Sequence, residues 1–251
     1  MSILKEIVDN TQSKLKERKI LVPISELKSK INNIELKDPN FKKSILNKDQ
    51  AIIAEIKKAS PSAGIISENF DPQNKAKEYE DIGASALSIL TEEDFFHGSS
   101  KYLEQVKSIS KLPILRKDFM IDEYQIYEAK LMGADCILLI VSILTDSQIS
   151  KFIQVAESLK LDYLIEVHDE KELRRVEKYE NAIIGVNNRN LKTFEVDIQN
   201  SIDLKKKFKG ANIFVSESGI KNQKDIDKLK ENNIHVFLIG ESLMRGQFFE
   251  A

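Results

Sequence analysis

The chain has 251 residues, of which 41% are hydrophobic and 31% charged, and its 40 acidic residues nearly balance its 38 basic ones. This length suits one large α/β domain, and a net charge of −2 gives no sign of a nucleic-acid or membrane partner. No run approaches the ~20 apolar residues of a membrane span, and we expect no secretory signal. The single cysteine, Cys136, cannot form an internal disulfide, so we expect a buried thiol in a cytoplasmic protein.

The first 48 residues differ in pattern from the rest of the chain. They contain an amphipathic stretch over residues 4–20, followed by a polar segment rich in Lys and Asn. Apolar residues at helical spacing predict a helix with one buried face. We therefore predict that residues 1–48 are a helical extension packed on the remaining chain, with a partly mobile tail as the alternative.

Short apolar runs alternate with amphipathic stretches over residues 49–251. Runs rich in Ile, Val and Leu are typical of strands buried on both faces, and stretches such as residues 148–159 have helical spacing. The predicted strands are Ala51–Ile56, Ala84–Leu90, Leu112–Leu115, Asp135–Val141, Tyr163–Val167, Ala182–Val186, Ile213–Val215 and Val236–Ile239.

Eight strand–helix units predict a parallel sheet. An open doubly wound sheet and a closed barrel both fit this count. The even repeat, and the polar residues at the end of strand after strand, favour the barrel. We predict an α/β fold in which residues 1–251 form a single (β/α)8 TIM-barrel domain, with the barrel over residues 49–251.

Charged residues occupy strand positions that should face the barrel interior. Side chains two residues apart share a face of a strand, so Glu55 and Lys57 lie on the face of Ile53. Buried charges are costly unless they are paired. A cluster drawn from five strands indicates acid–base catalysis, and a set of satisfied salt bridges is the alternative. The same alternation places four further polar residues inward, namely Lys117, Glu166, Asn187 and Glu217.

Two turns that contain glycine follow the seventh and eighth predicted strands. They are residues 216–220 and residues 239–243. In barrels, the loops at these two places commonly hold a phosphate group, because glycine lets the backbone N–H groups approach the anion. The pair of turns predicts a phosphorylated substrate, and two ordinary turns are the alternative.

The segment from Ile52 to Ser62, with the sequence IIAEIKKASPS, resembles the signature of indole-3-glycerol phosphate synthases. Further segments resemble that family in the same order. They are residues 90–93 with Phe96 and Gly98, then residues 115–119, 164–168, 185–191, 216–220 and 238–244. The resemblance implies a barrel that closes the indole ring of 1-(2-carboxyphenylamino)-1-deoxyribulose 5-phosphate. The products would be indole-3-glycerol phosphate, carbon dioxide and water, and no metal or organic cofactor would be needed.

The resemblance also implies roles for the inward-facing residues. Lys117 would be the general acid that polarises the substrate carbonyl, and Glu166 the general base of the dehydration. Lys57 would pair with the anthranilate carboxylate and assist later proton transfers. Glu55 would orient and tune the two lysines. Which lysine acts at which step stays open.

The remaining residues are expected to hold the substrate. Asn187 and Glu217 would contact its hydroxyls and the developing charge, and Arg189 would support Asn187 or the substrate. Phe96 and Phe119 would stack on the anthranilate ring or simply pack under the loops. The residues expected around the phosphate are Ser60, Ser218, Gly219, Gly240, Glu241 and Ser242, with Glu241 contributing through its backbone.

The three histidines, His97, His168 and His235, lack metal-ligand spacing, so we expect solvated or structural roles and no metal site. Two other functions are possible. A phosphoribosylanthranilate isomerase is disfavoured by the segment from Glu55 to Ser62. A barrel that binds a sugar phosphate without catalysis should have lost Lys117 or Glu166. We expect a monomer whose partner is a small phosphorylated substrate, with neither nucleic acid nor membrane bound.

Overall fold

A computed structural model describes residues 3–190 and 193–248, and in these ranges eight parallel strands close into a barrel. Consecutive strands are neighbours, and the eighth strand returns to the first with Val236 aligned to Ala51. The predicted (β/α)8 fold is thus confirmed. Leu191, in one of the family-like segments, lies outside the described residues. The strands are β1 (Ala51–Ile56), β2 (Ala86–Leu90), β3 (Ile114–Lys117), β4 (Cys136–Ile140), β5 (Asp162–Val167), β6 (Ile183–Asn187), β7 (Phe214–Glu217) and β8 (Val236–Ile239).

Helices precede, separate and follow the strands. Several begin at residues that cap the free backbone N–H groups of the first turn. The Asp71 carboxylate accepts hydrogen bonds from the first turn of the helix that begins at Pro72, and Thr145 forms a capping box with Gln148 at the helix that begins at Asp146. The helices are α1 (Ile3–Leu21), α2 (Ile24–Asn32), α3 (Phe41–Ile45), α4 (Pro72–Asp81), α5 (Ser100–Lys107), α6 (Tyr124–Met132), α7 (Asp146–Ser158), α8 (Glu170–Val176), α9 (Gln199–Lys207), α10 (Gln223–Lys230) and α11 (Glu241–Met244).

The strand predictions differ from the structure mainly at the ends. Strands β1 and β8 have the predicted bounds, whereas β3 and β7 extend through Lys117 and Glu217. A prediction from hydrophobicity alone ends these two strands too early, because their last residues are polar but still pair in the sheet. This extension brings both charged side chains onto the barrel itself.

The barrel interior is filled by alternate residues of each strand. On β1, Ala51 and Ile53 are fully buried inside the barrel, and Glu55 follows on the same face. The outward residues Ala54 and Ile56 pack instead against the surrounding helices. The inward face of β1 is therefore apolar at Ala51 and Ile53 and becomes charged at Glu55.

The predicted helical extension is present in its described part. Leu15 of α1 and Leu27 of α2 pack on Tyr124 of α6. From α3, Phe41 and Ile45 join the apolar cluster inside the barrel and close its amino end. In its described residues the extension is thus a packed part of the fold, as predicted.

Ion pairs fasten α1 to the other end of the barrel. Lys14 pairs with Asp94 at 2.6 Å, and Lys19 pairs with Asp122 at 2.6 Å. Both acids lie in loops that follow strands, so α1 is held across the carboxyl end of the barrel.

Within residues 3–190 and 193–248, no helix is long and apolar enough to cross a membrane. The thiol of Cys136 is free and buried on β4, as expected.

Candidate active site

The polar residues predicted to face inward meet in one cavity of about 750 Å³ at the carboxyl end of the barrel. Its volume lies within the range typical of small-molecule sites. Ile3, Leu4 and Ile7 of α1 form part of its wall. The cavity is lined by all six residues of the expected catalytic set: Glu55, Lys57, Lys117, Glu166, Asn187 and Glu217.

Lys117 lies at the centre of this cluster, between two carboxylates. Its Nζ is 3.0 Å from Glu166 Oε2 and 2.5 Å from Glu217 Oε2. Burial alone would lower the pKa of Lys117, but the charges of Glu166, Glu217 and Glu55 outweigh it and raise that pKa. The lysine is therefore an ammonium ion that can donate protons into the cavity.

Glu166 and Glu217 have different surroundings. Asn187 donates a hydrogen bond to Glu166 Oε1 at 3.2 Å. Within the described ranges, Glu217 Oε1 is buried without a hydrogen-bond partner, and it lies so close to Gly185 that no Cβ would fit there. Burial opposes the charge of both acids. Lys117 and His168 nevertheless hold the pKa of Glu166 well below its usual range.

For Glu217 the balance goes the other way. Burial, followed by repulsion from Glu166 and Glu55, outweighs the attraction of Lys117 and raises the pKa of Glu217 to about 7. The pKa values of the two carboxylates beside Lys117 are therefore shifted in opposite directions.

Glu55 and Lys57 form a second pair, with 2.8 Å between Oε1 and Nζ. Gly240 faces this pair: a Cβ at position 240 would lie 2.5 Å from Glu55 Oε1 and 3.0 Å from Lys57 Nζ. The absence of a side chain on Gly240 thus leaves room for the pair as well as for a ligand. The expected phosphate end and the Glu55–Lys57 pair are neighbours.

The residues expected around the phosphate line the same cavity. Ser218 and Gly219 both have positive φ, at 67° and 83°, so the turn after β7 is tightly bent. The Ser242 hydroxyl donates to the Ile220 carbonyl at 2.9 Å and ties the turns after β7 and β8 together. The cavity residues of this group are Ser60, Ser218, Gly219, Gly240, Glu241 and Ser242.

Arg189 and Glu241 face each other at the edge of the cavity. The Arg189 guanidinium is 4.0 Å from Glu241, which also pairs with Arg245 at 3.3 Å. The backbone N–H of Arg189 donates to Asn187 Oδ1 at 3.0 Å. Arg189 therefore supports Asn187 through its main chain, and the Glu241 side chain is drawn towards arginines.

Two aromatic rings form an apolar wall. Phe96 and Phe119 line the cavity, with 5.9 Å between ring centroids and planes inclined by 38°. The Glu92 carboxylate accepts hydrogen bonds from the backbone N–H groups of Asp94, Phe95 and Phe96. These three hydrogen bonds fix the loop that carries Phe96.

The histidines separate into two kinds. His97 is exposed in a loop, and His235 contacts the Asp49 carbonyl at the amino end of the barrel. The side chain of His168 is only 14% exposed and lies beside Glu166. Of the two expected roles, solvated and structural, its environment fits only the structural one, because it lies among the charged residues of the cavity.

Other supporting residues were also missed. The Asn188 amide donates to Ser216 Oγ at 2.9 Å and to the Ser218 carbonyl at 3.0 Å, which anchors the turn after β7. Arg116 is fully buried and pairs with Asp118 at 2.8 Å, directly beside Lys117 in sequence. The alternation rule applied to His168, two residues after Glu166, would have placed it inward. Arg116 and Asn188 gave no such signal, because they face away from the cavity.

The closed barrel, its lysine–carboxylate cluster and its two glycine-containing turns define the class of barrel enzymes that act on a small phosphorylated substrate. The family model described as "Indole-3-glycerol phosphate synthase" matches residues 4–250, and the chain belongs to that family. A protein of that name from Ruminiclostridium cellulolyticum is 48% identical over 97% of this chain and 94% of its own length. Another from Acetivibrio thermocellus is 47% identical over 98% of this chain and 95% of its own length.

Solved structures of other enzymes share the fold. The tryptophan synthase complex from Pyrococcus furiosus matches with a TM-score of 0.57 and 15% identity, over 79% of this chain and 90% of that chain. Monomers of the phosphoribosylanthranilate isomerase from Thermotoga maritima match with a TM-score of 0.55 and 10% identity, over 77% and 88%. At such identities the likeness extends to the barrel alone, so the isomerase alternative gains no support beyond it.

Proposed function

We propose that the cavity at the carboxyl end of the barrel converts 1-(2-carboxyphenylamino)-1-deoxyribulose 5-phosphate into indole-3-glycerol phosphate, carbon dioxide and water. The observation that carries this proposal is the position of Lys117 between Glu166 and Glu217 in a chain of this family. The reaction needs an acid for a carbonyl and a base for a dehydration, and this arrangement holds both within one cavity.

Ring closure comes first. The aryl carbon that carries the carboxylate forms a bond to the ketone carbon, and the ketone oxygen takes a proton to become a hydroxyl. Lys117 supplies that proton, because the neighbouring carboxylates keep it charged in the free enzyme. The acid is thereby present before the substrate arrives.

Decarboxylation restores the aromatic ring. The bond between the ring and the carboxylate breaks, and its electron pair returns to the ring as carbon dioxide leaves. Lys57 pairs with the substrate carboxylate before this step, and Glu55, 2.8 Å away, fixes the position of the ammonium group. The pair therefore orients the leaving group at the wall next to Gly240.

Dehydration completes the indole. The new hydroxyl leaves as water after accepting a proton from a lysine, and Glu166 removes the proton from the adjacent carbon. The low pKa of Glu166 keeps it ionised, as a base must be. Asn187 and Glu217 hold the substrate hydroxyls and the charge that develops between the steps.

The rest of the cavity matches the two ends of the substrate. The backbone of the turns at Gly219 and Gly240 and the Ser60 hydroxyl receive the phosphate. Phe96 and Phe119 pack on the anthranilate ring. Arg189 steadies Asn187 through its main chain.

An assay with the substrate labelled with ¹³C in its carboxyl group tests the proposal. Purified protein in buffer with EDTA should release labelled carbon dioxide and develop indole fluorescence at the same rate. Folded protein that releases neither product would contradict the proposed function, and conversion to an isomer without carbon dioxide would support the isomerase alternative.

Three further expectations belong to this proposal: one domain over the whole chain, a monomer and a cytoplasmic location. The packing of α1, α2 and α3 on the barrel supports the first. The free, buried thiol of Cys136 is compatible with a reducing compartment. Sedimentation equilibrium would test the monomer, and a concentration-dependent mass would contradict it.

A further inference from the structure

Glu166 and Glu217 have similar positions but unequal partners. Both are buried near the carboxyl ends of their strands, and both pair with Lys117. A second cation lies next to Glu166 only, because Nε2 of His168 is 3.3 Å from Glu166 Oε1. Lys117 contacts both carboxylates, so the charged side chain that makes their surroundings different is His168.

His168 is clamped from both sides. Its Nδ1 is 3.1 Å from Oε2 of Glu172, on α8, and the same oxygen accepts the backbone N–H of His168 at 2.8 Å. Asn200 donates to the His168 carbonyl at 3.1 Å. The main chain and the ring are thus fixed by separate contacts, so the ring cannot swing away from Glu166 without breaking the pair with Glu172.

The clamp determines the protonation of the ring. Nδ1 is within hydrogen-bond distance of Glu172 Oε2, whereas Nε2 has no hydrogen-bond partner among the described residues and lies 3.3 Å from Glu166 Oε1, close enough for an ion pair. An imidazolium, which has a proton on both nitrogens, is attracted by both carboxylates. Burial opposes the charge, but Glu166 and Glu172 outweigh it and raise the pKa of His168 to about 10. Behind Glu166, the charged groups that complete the surroundings are Lys117 on β3, Glu217 on β7 and Glu55 on β1.

We infer that His168 is a positioning residue that keeps Glu166, rather than Glu217, as the ionised carboxylate and holds it in the orientation of a base. Oε1 of Glu166 accepts a hydrogen bond from Asn187 and lies 3.3 Å from His168 Nε2, whereas Oε2 lies 3.0 Å from Lys117, the proposed general acid. The inference rests on the proposed function, in which Glu166 is the base of the dehydration. It assigns to this histidine the positive charge that distinguishes the surroundings of Glu166 from those of Glu217.

The test compares His168→Asn with His235→Asn, whose ring lies at the opposite end of the barrel. In His168→Asn, kcat should fall about 10- to 100-fold with an unchanged KM, because a misplaced base slows the reaction without weakening binding. The acidic limb of the kcat profile should move to higher pH, because Glu166 loses a neighbouring cation. His235→Asn should behave as wild type. A wild-type kcat and pH profile in His168→Asn would overturn the inference.

A second measurement needs no substitution at His168. The chain has three histidines, so ¹⁵N NMR of the wild-type ring, assigned by elimination with His97→Asn and His235→Asn, reports its protonation directly. His168 should carry protons on both nitrogens at about pH 8, where a histidine with an ordinary pKa is neutral. A neutral ring at that pH would overturn this inference and leave the proposed function standing. Absence of product from wild-type protein would instead overturn the proposed function.

Discussion

The two ends of the barrel are closed by opposite kinds of side chain. At the amino end, α3 inserts Phe41 and Ile45, which are 0% and 1% exposed, into the apolar interior. At the carboxyl end, Lys117 and its two carboxylates face a cavity of about 750 Å³. The side chains at both ends are buried, but burial by itself stabilises the fold only at the amino end, where the side chains are apolar.

The difference separates folding from chemistry. Burying an aromatic side chain stabilises the fold by about 1.5–3 kcal/mol, whereas burying charges costs free energy that ion pairing only partly returns. A protein that needed only to fold would have extended the apolar filling through the last layer of the barrel. Glu217, with a buried oxygen that lacks a hydrogen-bond partner among the described residues, is the clearest sign that this layer serves another purpose.

The largest expected effect comes from Lys117→Met. Removing the general acid should lower kcat by about 10²- to 10⁴-fold, measured by indole fluorescence. Lys48→Met is the matched control, because Lys48 donates to Ser85 at the amino end of the barrel and should leave turnover unchanged. Equal turnover of both variants would remove the distinction between the two ends.

Glu166→Gln should have the next largest effect. A neutral amide cannot remove a proton, so kcat should fall about 10²- to 10³-fold with a similar KM. Asp162→Asn tests the other end of the same strand, where the carboxylate accepts the Lys42 backbone N–H at 2.8 Å, and should retain wild-type kcat. A change confined to KM in Glu166→Gln would make this residue a binding group.

Phe41→Ala should show the reverse pattern. Truncating a fully buried aromatic residue should reduce the free energy of unfolding by about 3–5 kcal/mol, measured by urea denaturation. Turnover at a temperature where the variant is folded should match wild type, because the substitution lies at the amino end. A fall in kcat of the folded variant would mean that the two ends are coupled.

Gly240→Val should have the smallest effect. A Cβ at this position lies 2.5 Å from Glu55 Oε1, so the added side chain should fill the space beside the Glu55–Lys57 pair and crowd the expected phosphate site. We expect KM to rise about tenfold, with Gly240→Ala between wild type and Gly240→Val. An unchanged KM in both variants would place the phosphate elsewhere.

The carboxyl end was more predictable from sequence than the amino end. The two-residue alternation of strands identified Lys117, Glu166 and Glu217 as inward-facing, and a charged residue on the buried face of a strand is unusual. Phe41 gave no comparable signal, because it lies in a segment rich in Lys and Asn. The helix that contains it, α3, is five residues long. Its contact with the barrel is a tertiary property that no local pattern encodes.

Within the site, residues that act through others were harder to predict than residues that face the cavity. Arg116 packs on the outer side of its strand, and the partners of Asn188 come from α9, from β7 and from the turn after β7. Such contacts depend on which elements become neighbours after closure of the barrel. The catalytic and binding roles themselves stay predictions until the variants are measured.

The separation of the two ends is tested most directly by plotting log kcat against the free energy of unfolding for variants of each end, with Glu166→Gln and Asn187→Ala for one and Phe41→Ala and Ile45→Ala for the other. We predict two groups: the first should lose turnover with little loss of stability, and the second should lose stability while its folded fraction keeps wild-type turnover. A single line, on which turnover falls in proportion to stability in all four variants, would contradict this separation.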